Sequence, residues 1–465
     1  MNKPCAAVIG NDEAITQGVA MSTSEEIVPK VYLVSFVLVT LCFPLWGFAN
    51  DITNPLVKAF SKILQMSAAE GTWVQVAFYG GYGAMAIPAA LFIKKFTYKA
   101  GLMVGLFFYA VGAFLFIPAA DTQAFIPFLL AFFVMTSGLA FLETSCNPYI
   151  LSMGSVATAT QRLNLAQAFN PVGSLLGMFV ATQFIIQKLN PATDAERREL
   201  AADGSHTALE QLAGITANDL EVIRDPYLAI GVVVLCVLAV IAFKKMPCTE
   251  EKASSLDIRG TFKRLLANQN YREGVVAQMF YVGAQIMCWT FIIHYGTEVF
   301  VKLGMTEQAA EAKSQMLNIY AMIMFCLSRF ICTGLLKFIN PGKLLMISAA
   351  GGMLFTIGTI FLDGVNGVYA LVGISACMSL MYPTIYGIAL TGTGDDAKLG
   401  AAGLVMAIVG GTFLPMAQAS IIDMNVVFDS FSATKASFIL PLLCFVVVAI
   451  YGKRSQKTPS IRTTV

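Results

Sequence analysis

Charged side chains are scarce in this chain. Asp, Glu, Lys and Arg make up 12% of the 465 residues, whereas hydrophobic residues make up 57%. Ordinary soluble domains carry about 25% charged residues. The composition therefore excludes a soluble globular protein and predicts a polytopic membrane protein within the lipid bilayer. The formal net charge of +2 is too small to indicate a nucleic-acid partner.

Several motifs of other protein classes are missing. The ten cysteines contain no CxxC pair and lie mostly in apolar stretches, which argues against a disulfide framework or a zinc site. The segment TGTGDDAKLG at 391–400 lacks the GKS/T ending of a phosphate-binding loop. Residues 1–29 have no apolar core, so they are interpreted as a cytosolic tail rather than a signal peptide. No cofactor and no metal is implied.

Twelve apolar stretches are long enough to cross a bilayer, which takes about 20 helical residues. They begin near residues 31, 71, 100, 124, 159, 226, 273, 314, 343, 366, 399 and 434. A basic connection follows the sixth, so the pattern predicts an all-α membrane protein of two parallel six-helix bundles. The predicted boundaries are a tail at 1–29, bundles at 30–245 and 270–452, a cytosolic linker at 246–269 and a tail at 453–465.

Lys and Arg are distributed unevenly between the two sides of the predicted bundle. An even number of helices places both termini on one side, and most Lys and Arg fall in the loops and tails of that side. Such an excess marks the cytosolic side. We therefore expect a multi-pass protein of the bacterial inner membrane with both termini in the cytosol.

Glu143 is a carboxylate inside an apolar helix. It is the only acidic residue between Asp121 and Asp194, within AFIPFLLAFFVMTSGLAFLETSCNPYIL. A charge at that depth costs about 2.5–3.5 kcal/mol on insertion scales, so such residues commonly mark an ion or substrate path. Glu143 is therefore the first candidate residue of such a path. The alternative is an acid buried against an arginine for packing.

The first helix, FPLWGFANDITNPLVKAF, carries a second candidate carboxylate. Asn50, Asp51 and Asn54 lie close together, and Asp51 and Asn54 share a helix face at i, i+3 spacing. Asp51 is therefore the second candidate intramembrane carboxylate, and all three residues are candidate substrate contacts. The alternative places Asp51 at a helix end in the membrane interface.

Amide side chains accompany Glu143 on the fourth and fifth helices. Asn147 follows Glu143 by four residues, and RLNLAQAFN places Asn164 and Gln167 on one face. Amides both donate and accept hydrogen bonds, as sugar hydroxyls do. These three residues are predicted substrate contacts, although amides also hold transmembrane helices together without any ligand.

The second half offers an aromatic surface beside an amide. The seventh helix reads FYVGAQIMCWTFIIHYG, in which Gln285 and Trp289 are one turn apart, and the tenth contains Tyr382 in MYPTIYG. An aromatic ring can stack on the apolar face of a pyranose. Gln285, Trp289 and Tyr382 are therefore predicted substrate contacts. His294 is interpreted as a helix-end group, and Arg162 and Arg329 as gate or structural residues.

Six segments together resemble the fucose permease group of sugar–proton symporters in the major facilitator superfamily. They are LWGFANDITNP, AFYGGYGAMAIPAALFIKKFTYKAGL, GLAFLETSCNPYIL, RLNLAQAFNPVGSLLG, QMFYVGAQIMCWTFIIHY and MSLMYPTIYG. The resemblance implies a major facilitator fold with the sugar bound between the halves. It also implies proton and sugar coupling at Glu143, a sugar contact at Gln167, and a match of Gln285 and Trp289 to a family motif.

The first helix departs from that family. In a fucose symporter of that family this segment reads N-x-x-D, with the aspartate at the position of Asn54, whereas this chain has Asp51 first and Asn54 second. We expect a monomeric importer of a monosaccharide, above all L-fucose, by proton symport, with Glu143 as the first and Asp51 as the second candidate for the proton-coupling residue. Alternatives are a glucose/galactose or N-acetylglucosamine symporter, coupled to protons or sodium. A membrane-embedded enzyme and a sugar sensor are further alternatives, but the sequence offers no nucleophile and no signalling domain.

Overall fold

The computed structural model describes residues 26–53, 56–66, 73–192, 194–247, 257–423 and 432–456. Every regular element within these ranges is helical. Twelve of the described helical segments are long and apolar enough to cross a membrane. The predicted all-α fold with twelve spans is therefore confirmed, while the domain boundaries near 246–269 and 453–465 remain a prediction.

We number the candidate spans 1 to 12 in chain order. Their bounds are Lys30–Thr53, Val76–Lys95, Tyr98–Thr122, Phe125–Ser152, Val156–Lys188, His206–Phe243, Gln269–Lys302, Glu307–Leu335, Pro341–Phe361, Val365–Leu390, Gly394–Asp423 and Ala433–Ser455. Shorter helices at Leu56–Ile63, Asp194–Asp203 and Ile258–Ala267 lie outside these spans. Because successive spans alternate in direction, one end of the bundle carries both termini. We call that end the terminal face and the opposite end the far face.

Span 6 begins much earlier than the apolar pattern predicts. Its helix starts at His206 rather than near residue 226, and Ser205 caps it by accepting a hydrogen bond from the Ala208 amide at 3.2 Å. The polar segment 194–224 ahead of the apolar stretch is therefore largely helical. Hydropathy identifies only the part of a helix that suits the bilayer. This helix is capped outside that part and therefore includes polar residues that hydropathy does not mark.

One buried core is centred on spans 1–6 and extends into the terminal-face ends of spans 7, 10 and 11, and a second is centred on spans 7–12. Within the first half, span 5 packs directly on the backbone of span 1. A Cβ at Gly173 would lie 1.9 Å from the carbonyl oxygen of Pro44, and one at Gly177 would lie 2.7 Å from that of Phe48. Only glycine fits at such contacts, so the two spans form one closely packed unit.

Hydrogen bonds between the halves lie toward the terminal face. They join Gln161 Nε2 to the Thr333 carbonyl (3.1 Å), Asn164 Nδ2 to Thr384 Oγ1 (3.1 Å), and Arg329 Nη1 to the Gln167 carbonyl (3.0 Å). All six residues lie in the terminal-face part of spans 5, 8 and 10. The halves are therefore in contact below the centre of the bundle, on the side of the termini.

The far face carries a buried ion pair in the segment between spans 5 and 6. Arg197 Nη2 lies 2.6 Å from Asp219 Oδ2, and both side chains are 0% exposed. The other oxygen of Asp219 accepts from the Asn190 amide at 2.8 Å, and Gln65 donates to the Arg197 carbonyl at 2.7 Å. This network fixes the far ends of spans 1, 5 and 6 to one another.

Candidate functional site

A cavity of about 140 Å³ lies between the two halves near the middle of the spans. Both halves contribute to it, and its walls combine carboxylates, amides and aromatic rings. It is lined by Trp46, Asn50, Asp51, Thr53, Phe78, Tyr79, Tyr82, Glu143, Gln167, Asn170, Ser174, Val282, Gln285, Ile286, Trp289, Met322, Phe325, Arg329, Tyr382 and Ile408.

Breaks in three helices flank this cavity. Span 5 is interrupted at Ala168 and Phe169, span 10 at Ser379 and Leu380, and span 11 by a 3-10 turn at Ala407–Val409. Interrupted spans at the midplane are a usual feature of transporter binding sites, because irregular backbone is tolerated where it borders a cavity.

Glu143 is bound by a residue of the opposite half. It is 4% exposed, and its Oε1 accepts a hydrogen bond from the Tyr382 hydroxyl. Within the described residues, the hydrogen-bond partner of Glu143 is the neutral phenol of Tyr382. The structure therefore does not support the alternative that Glu143 is buried against an arginine. The carboxylate thus lies at the boundary between the halves, on the cavity wall.

Arg329 also lines the cavity, on the side of the terminal face. Its Nε donates to the Ser379 carbonyl at 2.5 Å, its Nη1 donates to the Gln167 carbonyl, and its guanidinium lies 4.5 Å from the ring of Phe325. Arg329 therefore holds the break of span 10 and the break of span 5 together. This arrangement is consistent with the interpretation of Arg329 as a gate or structural residue. The structure also places Arg329 on the wall of the cavity.

Gln167 lines the cavity, but the two asparagines predicted with it do not. Gln167 Nε2 donates to Asn147 Oδ1 at 3.0 Å, and Asn147 is fully buried behind it. Asn164 is also fully buried and bonds the Thr160 carbonyl and Thr384 Oγ1. Neither Asn147 nor Asn164 lines the cavity in this structure, so their direct contact with a substrate stays a prediction.

The first helix presents Asn50 and Asp51 to the cavity, as the sequence predicts. Tyr79 and Tyr82 of span 2 line the same wall. The position of Asn54 lies outside the described residues. Asp51 therefore faces the cavity rather than the membrane interface, and it belongs to the far-face end of the cavity because span 1 ends at Thr53.

Gln285 and Trp289 line the opposite wall. The Trp289 indole donates from Nε1 to Ser375 Oγ at 3.2 Å, and its ring meets Phe325 edge to face at 4.9 Å between centroids. These contacts fix the plane of the indole. Tyr281, one turn earlier on span 7, is buried and donates to the Met378 carbonyl at 3.0 Å, outside the cavity lining.

Sequence reasoning missed several lining residues. Trp46, Phe78, Tyr79 and Tyr82 supply aromatic surface, and Ser174 supplies a hydroxyl beside Asn170. A signal existed in span 2, where Phe78, Tyr79 and Tyr82 share one face at i, i+3 and i+4 spacing. Such a face alone does not distinguish a cavity wall from a helix contact.

The lining can bind a small uncharged molecule rich in hydroxyl groups. Amides and carboxylates supply hydrogen-bond partners from both halves, and flat aromatic surfaces lie between them. A buried carboxylate whose charge can be neutralised by a proton is also present. Among the described residues, no group of His, Cys, Asp and Glu side chains could hold a metal ion.

Comparisons with known proteins agree with this architecture. A family model for the Major Facilitator Superfamily matches residues 39–420. The L-fucose-proton symporter of Haemophilus influenzae is 51% identical over 93% of this chain and 99% of its own length, and the Brucella abortus glucose/galactose transporter is 28% identical over 92% and 96%.

Solved structures give the same result. The fold is similar to crystal structures of the Escherichia coli fucose:proton symporter FucP, one of them in the outward conformation. That structure has a TM-score of 0.79 and 30% identity, covering 92% of this chain and 99% of the other. The chain therefore belongs to the Major Facilitator Superfamily and, within it, to the fucose permease family that its sequence motifs resemble.

Proposed function

We propose that this protein imports L-fucose together with a proton by alternating access. The observation that carries the proposal is the buried Glu143, which lies on the wall of an amide- and aromatic-lined cavity and is hydrogen-bonded by Tyr382 of the other half. The 51% identity to an L-fucose-proton symporter, against 28% to a glucose/galactose transporter, favours fucose as the sugar.

The sugar is proposed to bind between the two walls of the cavity. Gln167 and Gln285 would bond its hydroxyls from opposite halves, and Trp289 would stack on its apolar face. Asn50 and Asp51 would complete the far-face side, with Asn54 as a further candidate. A site that satisfies hydroxyls with buried amides rejects analogues that lack them.

Glu143 is proposed to carry the proton, with Asp51 as the second candidate. A proton entering from the far face neutralises the carboxylate, which lowers the cost of closing the cavity against water. Sugar and proton together would then favour release of the terminal-face contacts. Loss of the proton on that side restores the charge and returns the carrier.

The orientation of the protein is also part of the proposal. The excess of Lys and Arg at the terminal face supports placing both termini in the cytosol of a bacterium, with the far face in the periplasm. The bundle boundaries at 30–245 and 270–452, and function as a monomer, are proposed with it. Sodium coupling is the alternative to proton coupling, and transport assays with and without sodium distinguish the two.

The test is uptake of labelled L-fucose into vesicles that contain the protein, with an imposed proton gradient and no sodium. Accumulation of chemically unchanged fucose, abolished by a protonophore, supports the proposal. Parallel assays use glucose, galactose and N-acetylglucosamine. Accumulation of one of these instead would overturn the sugar, uptake only with sodium would overturn the ion, and recovery of a modified sugar would indicate an enzyme.

A further inference from the structure

A second cavity lies at the terminal face between spans 7 and 12, apart from the central site. Its volume is about 390 Å³, and both polar and apolar side chains line it. Span 7 contributes Arg272, Glu273 and Val276, and span 12 contributes Ile450, Tyr451 and Arg454. None of these residues lines the central cavity.

The charges of this cavity leave an excess of one positive group. Arg454 Nη1 lies 2.7 Å from Glu273 Oε1, and Gln269 donates to the same oxygen at 2.8 Å. The Glu273 carboxylate is thereby neutralised. Arg272 has an exposed side chain, and within the described part of the chain it has no acidic partner. The rim therefore suits an anion.

Tyr451 forms part of the inner wall of the cavity. Its side chain is 3% exposed, and its hydroxyl is buried close to Gly274, where an added Cβ would approach it to 2.9 Å. Gly274 does not line the cavity, so the hydroxyl is turned away from it. The ring of Tyr451 therefore gives the cavity a flat, largely apolar inner surface.

Polarity changes with depth along the cavity. Arg272 and Arg454 lie at the ends of spans 7 and 12, at the level of the membrane surface. Val276 and Ile450 lie one turn deeper, and they are 46% and 48% exposed on the outside of the bundle. The polar rim is thus continuous with an apolar wall that faces lipid. A soluble anion would bind only at the polar rim. A phospholipid matches both the polar rim, through its headgroup, and the apolar wall, through its acyl chains.

We propose that this cavity binds one anionic phospholipid of the leaflet at the terminal face. Its phosphate would lie between Arg272 and Arg454, and one acyl chain would lie along Val276 and Ile450. Basic pockets between transmembrane helices bind anionic headgroups in this way. A zwitterionic amine finds no free carboxylate here, because Glu273 is already paired.

The test is native mass spectrometry of the delipidated full-length protein in detergent, titrated with phosphatidylglycerol or with phosphatidylethanolamine of the same chains. We expect tighter binding of phosphatidylglycerol. Arg272→Gln should weaken it about fivefold, the effect of one basic group at an anionic surface.

Arg259→Gln is the matched control, because Arg259 is an exposed arginine on the linker helix Ile258–Ala267 and does not line the cavity. It should leave the affinity unchanged. A photoreactive phosphatidylglycerol should label peptides that contain Val276 or Ile450. Gel filtration and thermal melting would verify that the variants are folded.

Several results would overturn the lipid site. They are equal affinity of the wild type and Arg272→Gln, equal binding of the two lipids, displacement of the lipid by soluble glycerol phosphate, or labelling confined to other spans. These measurements use no sugar and no proton gradient. Failure of the transport proposal would therefore leave the lipid proposal standing, and the reverse also holds.

Discussion

The Tyr382 hydroxyl donates a hydrogen bond to Oε1 of Glu143, and the two residues belong to opposite halves of the bundle. A carboxylate accepts such a bond more strongly than a neutral carboxyl group does. Protonation of Glu143 would therefore weaken a link between the halves at the floor of the cavity. One proton could in this way both remove a buried charge and loosen the contact at the terminal face.

Glu143→Gln should abolish accumulation of fucose while leaving binding in place. Glutamine keeps the length of the side chain and an oxygen that accepts from Tyr382, but it takes no proton at neutral pH. We expect a loss of more than tenfold in proton-driven accumulation, with exchange of labelled for unlabelled fucose retained. Accumulation at the wild-type level would remove Glu143 from the coupling role. Asp51 would then become the next candidate, and Asp51→Asn, assayed in parallel, would test it.

Tyr382→Phe should shift the protein toward the state that is open at the terminal face. The variant loses a hydrogen bond to a charged group, worth about 1.5–3 kcal/mol. Hydrogen exchange should rise in the terminal-face ends of spans 4, 5 and 10.

The control for that experiment is Tyr281→Phe, which removes a bond to the Met378 carbonyl within a single half. It should raise exchange only locally. Equal exchange patterns in the two variants would mean that the Tyr382–Glu143 bond does not hold the halves together.

Gln285→Leu and Asn164→Leu should separate a binding amide from a packing amide. Gln285 lines the cavity, whereas Asn164 is buried against Thr384. A sugar hydroxyl left unpaired costs about 1–3 kcal/mol, so Gln285→Leu should weaken fucose binding about tenfold. Asn164→Leu should lower thermal stability with a much smaller effect on affinity in calorimetry. The opposite ranking would restore Asn164 as a substrate contact.

Tryptophan emission should report occupancy of the central cavity. The chain has three tryptophans, of which Trp46 and Trp289 line the cavity and Trp73 is exposed at the far end of span 2. Fucose should change the emission of the wild type and of Trp73→Phe alike. In Trp289→Phe the change should fall by about half, since one of two reporters is lost. An unaltered response in that variant would place the sugar away from Trp289.

Asp219→Asn should destabilise the far-face network strongly. It leaves Arg197 buried without its charge partner, a change that typically costs about 3–5 kcal/mol. Thermal unfolding of the purified protein measures the loss. The exposed pair of Arg224 and Asp225 is the matched control, because such pairs contribute about 0–1 kcal/mol. A similar melting temperature for Asp219→Asn and Asp225→Asn would contradict the structural role of the buried pair.

Much of the fold follows from the sequence, because a membrane span needs a long apolar segment and the lipid leaves few alternatives. The count of twelve spans was predictable on that basis. The start of span 6 was not, since helix capping at Ser205 occurs outside the apolar stretch.

The candidate site was predictable only in part. Glu143 and Asp51 could be found because a charge in an apolar helix is costly and rarely incidental. Asn147 and Asn164 were expected beside the sugar, but a buried amide has the same sequence pattern whether it faces a ligand or another helix. Tyr79 and Tyr82 were missed for the converse reason: aromatic residues are common in any apolar span.

Two of the bonds that close the terminal face end on main-chain carbonyls, those of Thr333 and Gln167. Every residue type has such an oxygen, so these contacts depend on the identity of the donors Gln161 and Arg329 and hardly on that of the acceptors. Related proteins could therefore carry another residue that fits the buried position 333 while keeping the same closure. Comparing related sequences for paired changes would fail to detect these two links, even though they join the halves.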